Sequence, residues 1–135
     1  MFSLLLKYLL SNYSGKIIEV GCGRYSSTAF ALSQCMEIIA IDILDADRID
    51  YRIRPIYVRD DVTSPDLRLY LHARLLYSIR PPFEIQRSIL NLAEQVKADV
   101  LIKPLGTEIV EDARLRLSNY RGLPLYRLES RSAFE

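Results

Sequence analysis

The chain has 135 residues, of which 50% are apolar and 26% are charged, and its formal net charge is +1. This balance is typical of globular proteins, and it excludes a largely disordered chain and an overall charge suited to binding polyanions. The length is typical of one domain, so we expect residues 1–135 to form a single domain.

Cys22 and Cys35 are the two cysteines of the chain, and their spacing matches no zinc or redox motif. His72 is the single histidine, so the sequence has no group of histidines and cysteines that could bind a metal. We therefore expect no bound metal. Two free thiols are typical of a reducing compartment and favour a cytoplasmic location.

The N-terminal segment is rich in leucine, but it lacks the basic leading region and the cleavage site of a signal peptide. Lys7 interrupts an apolar run that is far shorter than the roughly 20 residues needed to cross a membrane. The helical spacing predicts a helix that packs on the rest of the protein and ends near Asn12 and Gly15. Its apolar positions are Phe2, Leu5, Leu6, Leu9 and Leu10.

Short apolar runs follow, separated by polar or helix-patterned segments. Continuous apolar sequence, instead of alternation, is typical of strands that are covered on both faces, so we expect a parallel sheet with helices on each side. The predicted strands are Lys16–Val20, Glu37–Ile41, Pro55–Val58, Arg74–Ser78 and Asp99–Ile102.

Helical patterning marks segments between these strands. The clearest helix is Phe83–Lys97, where apolar residues lie on one face and charged residues on the other. Thr28–Cys35 is predicted to be a helix capped by Ser26 or Ser27, and Ser64–His72 a shorter helix that begins at Pro65. Leu44–Arg54 fits neither pattern.

The end of the chain has the pattern of a hairpin. Arg114–Tyr120 alternates polar and apolar residues, Arg121-Gly122 has the composition of a turn, and Leu123–Leu128 is apolar again. The sequence therefore predicts an α/β protein, a Rossmann-like three-layer sandwich whose mostly parallel sheet ends in an antiparallel hairpin.

Glycines lie where the first predicted strand ends, in the segment Glu19-Val20-Gly21-Cys22-Gly23. Gly21 permits a tight turn, and Gly23 lets the backbone approach a ligand at the start of the next helix. Asp42 ends the second strand, where such folds place a carboxylate against ribose hydroxyls. These residues predict a nucleoside-binding site, although the glycines alone could serve only the turn.

Asp60 and Asp61 follow the third predicted strand and should face the same crevice, because ligands of open parallel sheets bind at the carboxyl ends of the strands. Aspartate also caps turns and helices through nearby backbone N–H groups. Both interpretations remain open, and each of the two residues could have a different role.

The glycine segment departs from a dinucleotide-binding loop, because Ser26 occupies the position of the third glycine. It resembles instead the acidic-x-Gly-x-Gly loop of class I S-adenosylmethionine methyltransferases, and this resemblance extends from about Lys16 to Ile102. It implies that Glu19 lies near the methionine amino group, that Asp42 binds the ribose, and that Asp60 or Asp61 reaches the adenine amine. S-adenosylmethionine is the cofactor implied.

A closer resemblance is to a group of short archaeal proteins, uncharacterised protein family 0146. The segments that carry it begin at Glu19, at Arg59 and at Tyr77, and they read EVGCGR, RDDVTSPD and YSIRPP. Together they indicate a methyltransferase-like fold and imply no particular reaction.

The exit of the fourth strand, which begins Ser78-Ile79-Arg80-Pro81, is similar to the Asn/Asp-Pro-Pro-aromatic loop of amino-methylating enzymes. Ser78 is therefore expected at the cofactor. Arg80 can only donate hydrogen bonds and is permanently charged, so it favours phosphate or carboxylate over an amine. Arg80 and Pro81 are accordingly predicted to bind the substrate.

Further cations follow other predicted strands, and in this fold the first, fourth and fifth strands are neighbours. Arg24 and Lys103 should therefore join Arg80 in a site for an anionic substrate, with Arg59 farther out. Alternatively, Arg80 and Lys103 are surface charges that pair with Glu84, Asp99 or Glu108.

The residues are compatible with two classes of function. One is an S-adenosylmethionine-dependent methyltransferase that acts on a small anionic substrate or RNA. The other is a non-catalytic module that senses nucleotides or binds a partner on the same fold. No catalytic base is recognisable in the sequence, although methyl transfer can proceed largely through positioning.

Overall fold

A seven-stranded sheet with the order β3-β2-β1-β4-β5-β7-β6 runs through the centre of the protein. The structure is a computed structural model, and it describes residues 3–104 and 112–130. The strands are β1 (Lys16–Val20), β2 (Glu37–Asp42), β3 (Tyr57–Arg59), β4 (Ala73–Ile79), β5 (Asp99–Lys103), β6 (Arg116–Tyr120) and β7 (Leu123–Leu128).

The first five strands are parallel, as the sequence predicted. β1 lies between β2 and β4, and Ile18 is aligned with both Ile39 and Leu76. Ile17 belongs to the apolar cluster on one face of the sheet and Ile18 to the cluster on the other face. Burial on both faces explains why these strands have continuous apolar sequence.

One face of the sheet is covered by α1 (Leu4–Asn12) and α2 (Ser27–Leu32). Ser3 caps α1 by accepting a hydrogen bond from the backbone N–H of Leu6. The predicted apolar face of α1 is buried at Leu5, Leu6 and Leu9, together with Tyr8, whereas Leu10 is exposed at its edge. Phe2 lies outside the described residues.

The other face is covered by α3 (Leu67–Tyr70) and α4 (Phe83–Val96). The amphipathic pattern of α4 is confirmed, because Ile89 and Leu92 are buried in the cluster below it. α4 ends where Lys97 adopts a left-handed conformation with φ of 60°.

Several element boundaries differ from the predictions for local reasons. Pro55, the predicted start of the third strand, lies in a 3-10 turn, and β3 begins only at Tyr57. The helix predicted from Pro65 begins only after Asp66, whose side chain accepts from the N–H of Arg68. α2 is capped by Ser26 and ends at Leu32, three residues before the predicted end.

The terminal hairpin is confirmed. β6 and β7 are antiparallel, and Tyr120 pairs with Leu123 across a two-residue turn. Arg121 and Gly122 have φ values of 51° and 91°, and two successive positive values are typical of the tight turns that suit the twist of a hairpin. β7 also pairs antiparallel with β5, so the hairpin extends the parallel sheet.

Within residues 3–104 and 112–130, none of the helices is long and apolar enough to cross a membrane.

Candidate functional site

A cavity of about 380 Å³ opens at the carboxyl ends of β1, β2, β3 and β4, beside the start of α4. Four strand exits therefore meet at one site, as expected for an open parallel sheet. Gly21 and Pro81 line the cavity, and its polar or charged side chains are Asp42, Asp60, Asp61, Ser78 and Arg80.

The glycine loop after β1 borders the cavity at Gly21. The N–H groups of Gly21 and Cys22 both donate to the carbonyl of Ile41, at 2.8 and 3.0 Å, so the loop is held against β2. Gly21 and Gly23 have φ values of 78° and 65°, which side chains disfavour. A Cβ atom on Gly23 would meet no atom within 4 Å, so the space beside it is open to a ligand. Gly23 itself does not line the cavity.

Asp42 connects the glycine loop to the end of β2. One carboxylate oxygen, Oδ2, accepts from the N–H of Gly23 at 2.8 Å, and Oδ1 accepts from the N–H of Ile43 at 2.7 Å. These bonds fix the orientation of the carboxylate at the cavity wall. Because each oxygen of an ionised carboxylate has about two acceptor sites, both can still accept from a diol.

The two aspartates after β3 have different surroundings. Asp60 is half-buried, and its carboxylate accepts from the Tyr70 hydroxyl at 2.6 Å and from the N–H of Asp66 at 3.3 Å. Asp61 is exposed, and its Oδ1 accepts from the side chain and the N–H of Thr63. These bonds hold the pKa of Asp61 below its ordinary value. Asp61 is therefore ionised at neutral pH.

Glu19 lies inside the protein instead of at the cavity surface. Its Oε1 accepts from the Tyr77 hydroxyl at 2.5 Å and from the Ser26 hydroxyl at 2.7 Å. Burial raises the pKa of Glu19 above its ordinary value, and the two hydrogen bonds oppose this rise only in part. The carboxyl group thus links β1, β4 and the cap of α2, and it does not line the cavity.

The residues at the end of β4 form another wall of the cavity, beside the walls that carry the aspartates after β2 and β3. Ser78 is buried, and its hydroxyl donates to the carbonyl of Val20 at 2.6 Å, which ties β4 to β1. Arg80 has a positive φ of 54°, and its N–H donates to the carbonyl of Lys103 at 2.7 Å. The carbonyl of Pro81 accepts from the side chain of Gln86 in α4.

Of the cations expected around the crevice, the structure brings only Arg80 to the cavity among the residues it describes. Arg24 is exposed away from the cavity lining, and Lys103 is half-buried beyond it. Arg59 donates to the carbonyl of Ile43 and pairs with Asp45 at 2.8 Å.

The alternative that Arg80 and Lys103 are paired surface charges finds no support at Arg80. Its guanidinium forms no ion pair with a described carboxylate. Glu108, one of the partners considered for these cations, lies outside the described residues.

Cys22 and His72 add no reactive group to the cavity. Burial, with smaller effects from the carboxylates of Glu19 and Asp42, raises the pKa of the Cys22 thiol to about 12. This thiol is therefore protonated at neutral pH. His72 is exposed before β4, away from the cavity lining. No group of three or more histidine, cysteine, aspartate or glutamate residues is placed to hold a metal ion in the part of the chain that the structure describes.

Sequence reasoning missed the apolar walls of the cavity. Ile43 directly follows Asp42 and is 62% exposed although it is large and apolar. It lines the cavity together with Val62, which follows Asp61, and Ile85 in the first turn of α4. An apolar residue directly after each strand-end aspartate is the signal that could have identified Ile43 and Val62. Such side chains suit the flat faces of a base.

The strand order, the glycine loop and the position of the cavity define a protein with the Rossmann-like fold of class I S-adenosylmethionine methyltransferases. The solved structures with a similar fold include an RNA methyltransferase from Salinibacter ruber in complex with S-adenosyl-L-homocysteine. It superposes with a TM-score of 0.65 at 11% identity, over 95% of this chain and 91% of that one.

A magnesium protoporphyrin IX methyltransferase from Synechocystis with bound S-adenosylmethionine superposes with a TM-score of 0.59 at 13% identity. That match covers 92% of this chain and 74% of the other. The likeness in fold thus extends beyond Lys16–Ile102, the range of the resemblance in sequence.

The chain belongs to the Uncharacterised protein family UPF0146, whose family model matches residues 1–130. A UPF0146 protein from Archaeoglobus fulgidus is 41% identical over 120 residues, which are 88% of each protein. One from Methanothermobacter thermautotrophicus is 38% identical over 109 residues, 78% of this chain and 76% of the relative. These relatives confirm the resemblance to family 0146 and carry no description of a reaction.

Proposed function

We propose that this protein binds S-adenosylmethionine and transfers its methyl group to a small anionic substrate or to RNA. The observation that carries the proposal is the meeting of Asp42, Asp61 and Arg80 at one cavity, beside a glycine loop with open space. Carboxylates line the β2 and β3 exits and a cation lines the β4 exit. The site is therefore divided into a part suited to a nucleoside and a part suited to an anion.

The described residues fit the cofactor. Asp42 offers two fixed carboxylate oxygens to a ribose diol, and Ile43, Val62 and Ile85 offer apolar surface to a base. Gly21 and Gly23 keep side chains away from the loop that approaches the ligand. When bound, S-adenosylmethionine supplies a methyl group on a positively charged sulfur, which an electron-rich acceptor can attack.

Asp61 is the better candidate for the adenine amine. Its Oδ1 is engaged by Thr63, which leaves Oδ2 as an acceptor for an amino group at the cavity. Asp60 is half-buried and each of its oxygens accepts a hydrogen bond within the protein, from Tyr70 and from Asp66, so Asp61 has the more accessible oxygen. We therefore assign ligand contact to Asp61 and assign to Asp60 the role of holding the loop after β3.

Glu19 has a different place in the proposal from the one that the resemblance implied. Because it is buried and bonded to Tyr77 and Ser26, we propose that it supports the glycine loop from inside. Its effect on the methionine end of the cofactor is then indirect, through the position of Gly21.

Arg80 would orient the acceptor. Its guanidinium is at the cavity, is exposed and pairs with no described carboxylate, so it can bind a phosphate or carboxylate through two parallel hydrogen bonds. Arg24 and Lys103 do not line the cavity, so they could attract an anionic acceptor only through electrostatics at longer range. The acceptor atom would then be an electron-rich oxygen, nitrogen or sulfur near that anionic group.

The second candidate function is a non-catalytic module that senses nucleotides or binds a partner. One observation favours it: among the described residues, no histidine, cysteine, lysine or tyrosine side chain lines the cavity. The carboxylates at the cavity are assigned to the nucleoside or to the loop after β3, so a methyl acceptor that must lose a proton would need a base from elsewhere. An acceptor that is already ionised would not.

Calorimetric titration of the purified protein tests the proposal. We expect S-adenosylhomocysteine and S-adenosylmethionine to bind with dissociation constants at least tenfold lower than that of NAD. Equal or tighter binding of NAD would contradict the proposal. Binding of S-adenosylhomocysteine without turnover of phosphate-bearing or RNA acceptors would favour the second candidate.

The cytoplasmic location stays a prediction from the free thiols of Cys22 and Cys35.

A further inference from the structure

β2 ends at Asp42, and the chain bends at Ile43 and Leu44. Backbone pairing between β2 and β3 covers Ala40 to Asp42 and stops there. The next carbonyl groups, those of Ile43 and Leu44, therefore need other donors. In this structure the donors come from side chains of β3.

The three successive carbonyl groups of Asp42, Ile43 and Leu44 all accept hydrogen bonds from β3 or from the residue after it. The Tyr57 hydroxyl lies 2.9 Å from the carbonyl oxygen of Asp42 and 2.5 Å from that of Leu44, and shares its proton between them. Nε of Arg59 donates to the carbonyl of Ile43 at 3.0 Å. The N–H of Asp60 adds a backbone bond of 3.0 Å to the carbonyl of Asp42. We call the side-chain donors Tyr57 and Arg59 the β3 clamp.

The β3 clamp holds the turn after β2, of which Asp42 and Ile43 line the cavity. The N–H of Ile43 donates to Oδ1 of Asp42, so both polar backbone groups of Ile43 are engaged. Its side chain is left exposed at the cavity, beside the Asp42 carboxylate. Neither Tyr57 nor Arg59 lines the cavity.

We infer that Tyr57 and Arg59 are positioning residues that hold Asp42 and Ile43 in the arrangement a nucleoside requires. This inference rests on the proposed function, and it concerns the affinity for the nucleoside part of the ligand. Holding a binding turn in its bound form reduces the conformational entropy lost on binding. Burial, with the nearby Asp42 carboxylate, raises the pKa of Tyr57 to about 12, so the hydroxyl keeps its proton at neutral pH.

Tyr57→Phe is the sharpest test, because it removes the shared hydroxyl and keeps the ring that packs against the core. We expect the dissociation constants of S-adenosylhomocysteine and adenosine to rise about 3- to 10-fold, the equivalent of one hydrogen bond. Arg59→Met should have a smaller effect in the same direction, since Arg59 is largely exposed. The matched control is Tyr51→Phe, at a tyrosine that is 74% exposed.

Amide hydrogen exchange in the free protein gives a second measurement. The N–H groups of Gly23 and Ile43, which donate to Asp42, should exchange faster in Tyr57→Phe than in the wild type. Their exchange rates should be unchanged in Tyr51→Phe. A purely structural role would lower the melting temperature of Tyr57→Phe and leave ligand affinity at 25 °C and these amides unchanged, which would overturn the inference.

The two proposals fail in different ways. If the wild-type protein binds S-adenosylhomocysteine and Tyr57→Phe binds it equally well, the positioning role is wrong and the proposed function stands. If the wild-type protein binds neither S-adenosylhomocysteine nor adenosine, the proposed function is wrong, and the role of the β3 clamp in nucleoside binding falls with it.

Discussion

The hydroxyl of Tyr77 donates to Oε1 of Glu19 at 2.5 Å, between two residues that are paired in register on β4 and β1. Both side chains are almost fully buried at the centre of the sheet. A carboxyl group in such a place needs donors, because an unpaired buried polar group costs free energy. Tyr77 and Ser26 provide them, so the acidic residue of the glycine loop is part of the core.

Glu19 should make the stability of the protein depend on pH. Folding raises its pKa above the ordinary value of 4.5, so the folded state binds this proton more tightly than the unfolded state does. The stability that it contributes is complete below about pH 4.5 and is lost as the pH rises through the raised pKa.

Glu19→Gln, which stays neutral, should remove this dependence, so that its free energy of unfolding falls less than that of the wild type as the pH rises above 4.5. Urea unfolding at a series of pH values measures it. Glu37→Gln, at an exposed residue of β2, is the control and should follow the wild type. Parallel curves for Glu19→Gln and the wild type would contradict the prediction.

Asp42 should account for much of the affinity for the cofactor. Asp42→Ala removes the proposed acceptor for the ribose and also releases the N–H groups of Gly23 and Ile43. We expect S-adenosylhomocysteine to bind about 30- to 1000-fold more weakly, which corresponds to a loss of about 2–4 kcal/mol of binding free energy. Calorimetry provides the measurement, and Asp47→Ala, at an exposed acidic residue outside the cavity, is the control. An unchanged affinity would mean that Asp42 only holds the glycine loop.

Asp61 should distinguish adenosine from inosine. An ionised carboxylate accepts a hydrogen bond from the amine of adenosine and repels the carbonyl oxygen of inosine, so the wild type should prefer adenosine by about tenfold. Asp61→Ala should reduce this preference to about twofold or less, since the charged acceptor is lost. Competition titrations measure the ratio of the two affinities. A preference that persists in Asp61→Ala and disappears in Asp60→Ala would reverse the roles proposed for the two residues.

Arg80 should bind the anion. The thermal stability of the wild type should rise with phosphate or pyrophosphate at moderate salt, and Arg80→Ala should lose most of this response. Arg87→Ala, at an exposed arginine farther along α4, should keep it. If Arg80→Ala responds like the wild type, the anionic acceptor is unsupported.

The backbone of Arg80 allows a separate check on the same loop. Its φ of 54° is costly for any residue with a side chain, so Arg80→Gly should be about 1 kcal/mol more stable than Arg80→Ala. Unfolding in urea without phosphate measures this difference. Equal stability of the two variants would mean that the loop relaxes when the arginine is removed.

The amino-acid sequence was sufficient for the fold because the signals that define it are local. Continuous apolar runs predicted parallel strands, and the helical period of Phe83–Lys97 predicted α4. Arg121-Gly122 between two apolar segments predicted the turn of the hairpin. Since ligands of such a sheet bind at the carboxyl ends of its strands, these signals were also enough to locate the crevice.

The partners of the individual candidate residues were decided by the tertiary structure. Whether Glu19 faces a ligand or the core depends on Tyr77, which is 58 positions away in the chain. Whether Asp60 or Asp61 is available depends on the partner that each one finds, and Arg59 is engaged by a turn that follows another strand. Polar side chains have several possible partners along a chain, and only the packing of distant segments selects among them.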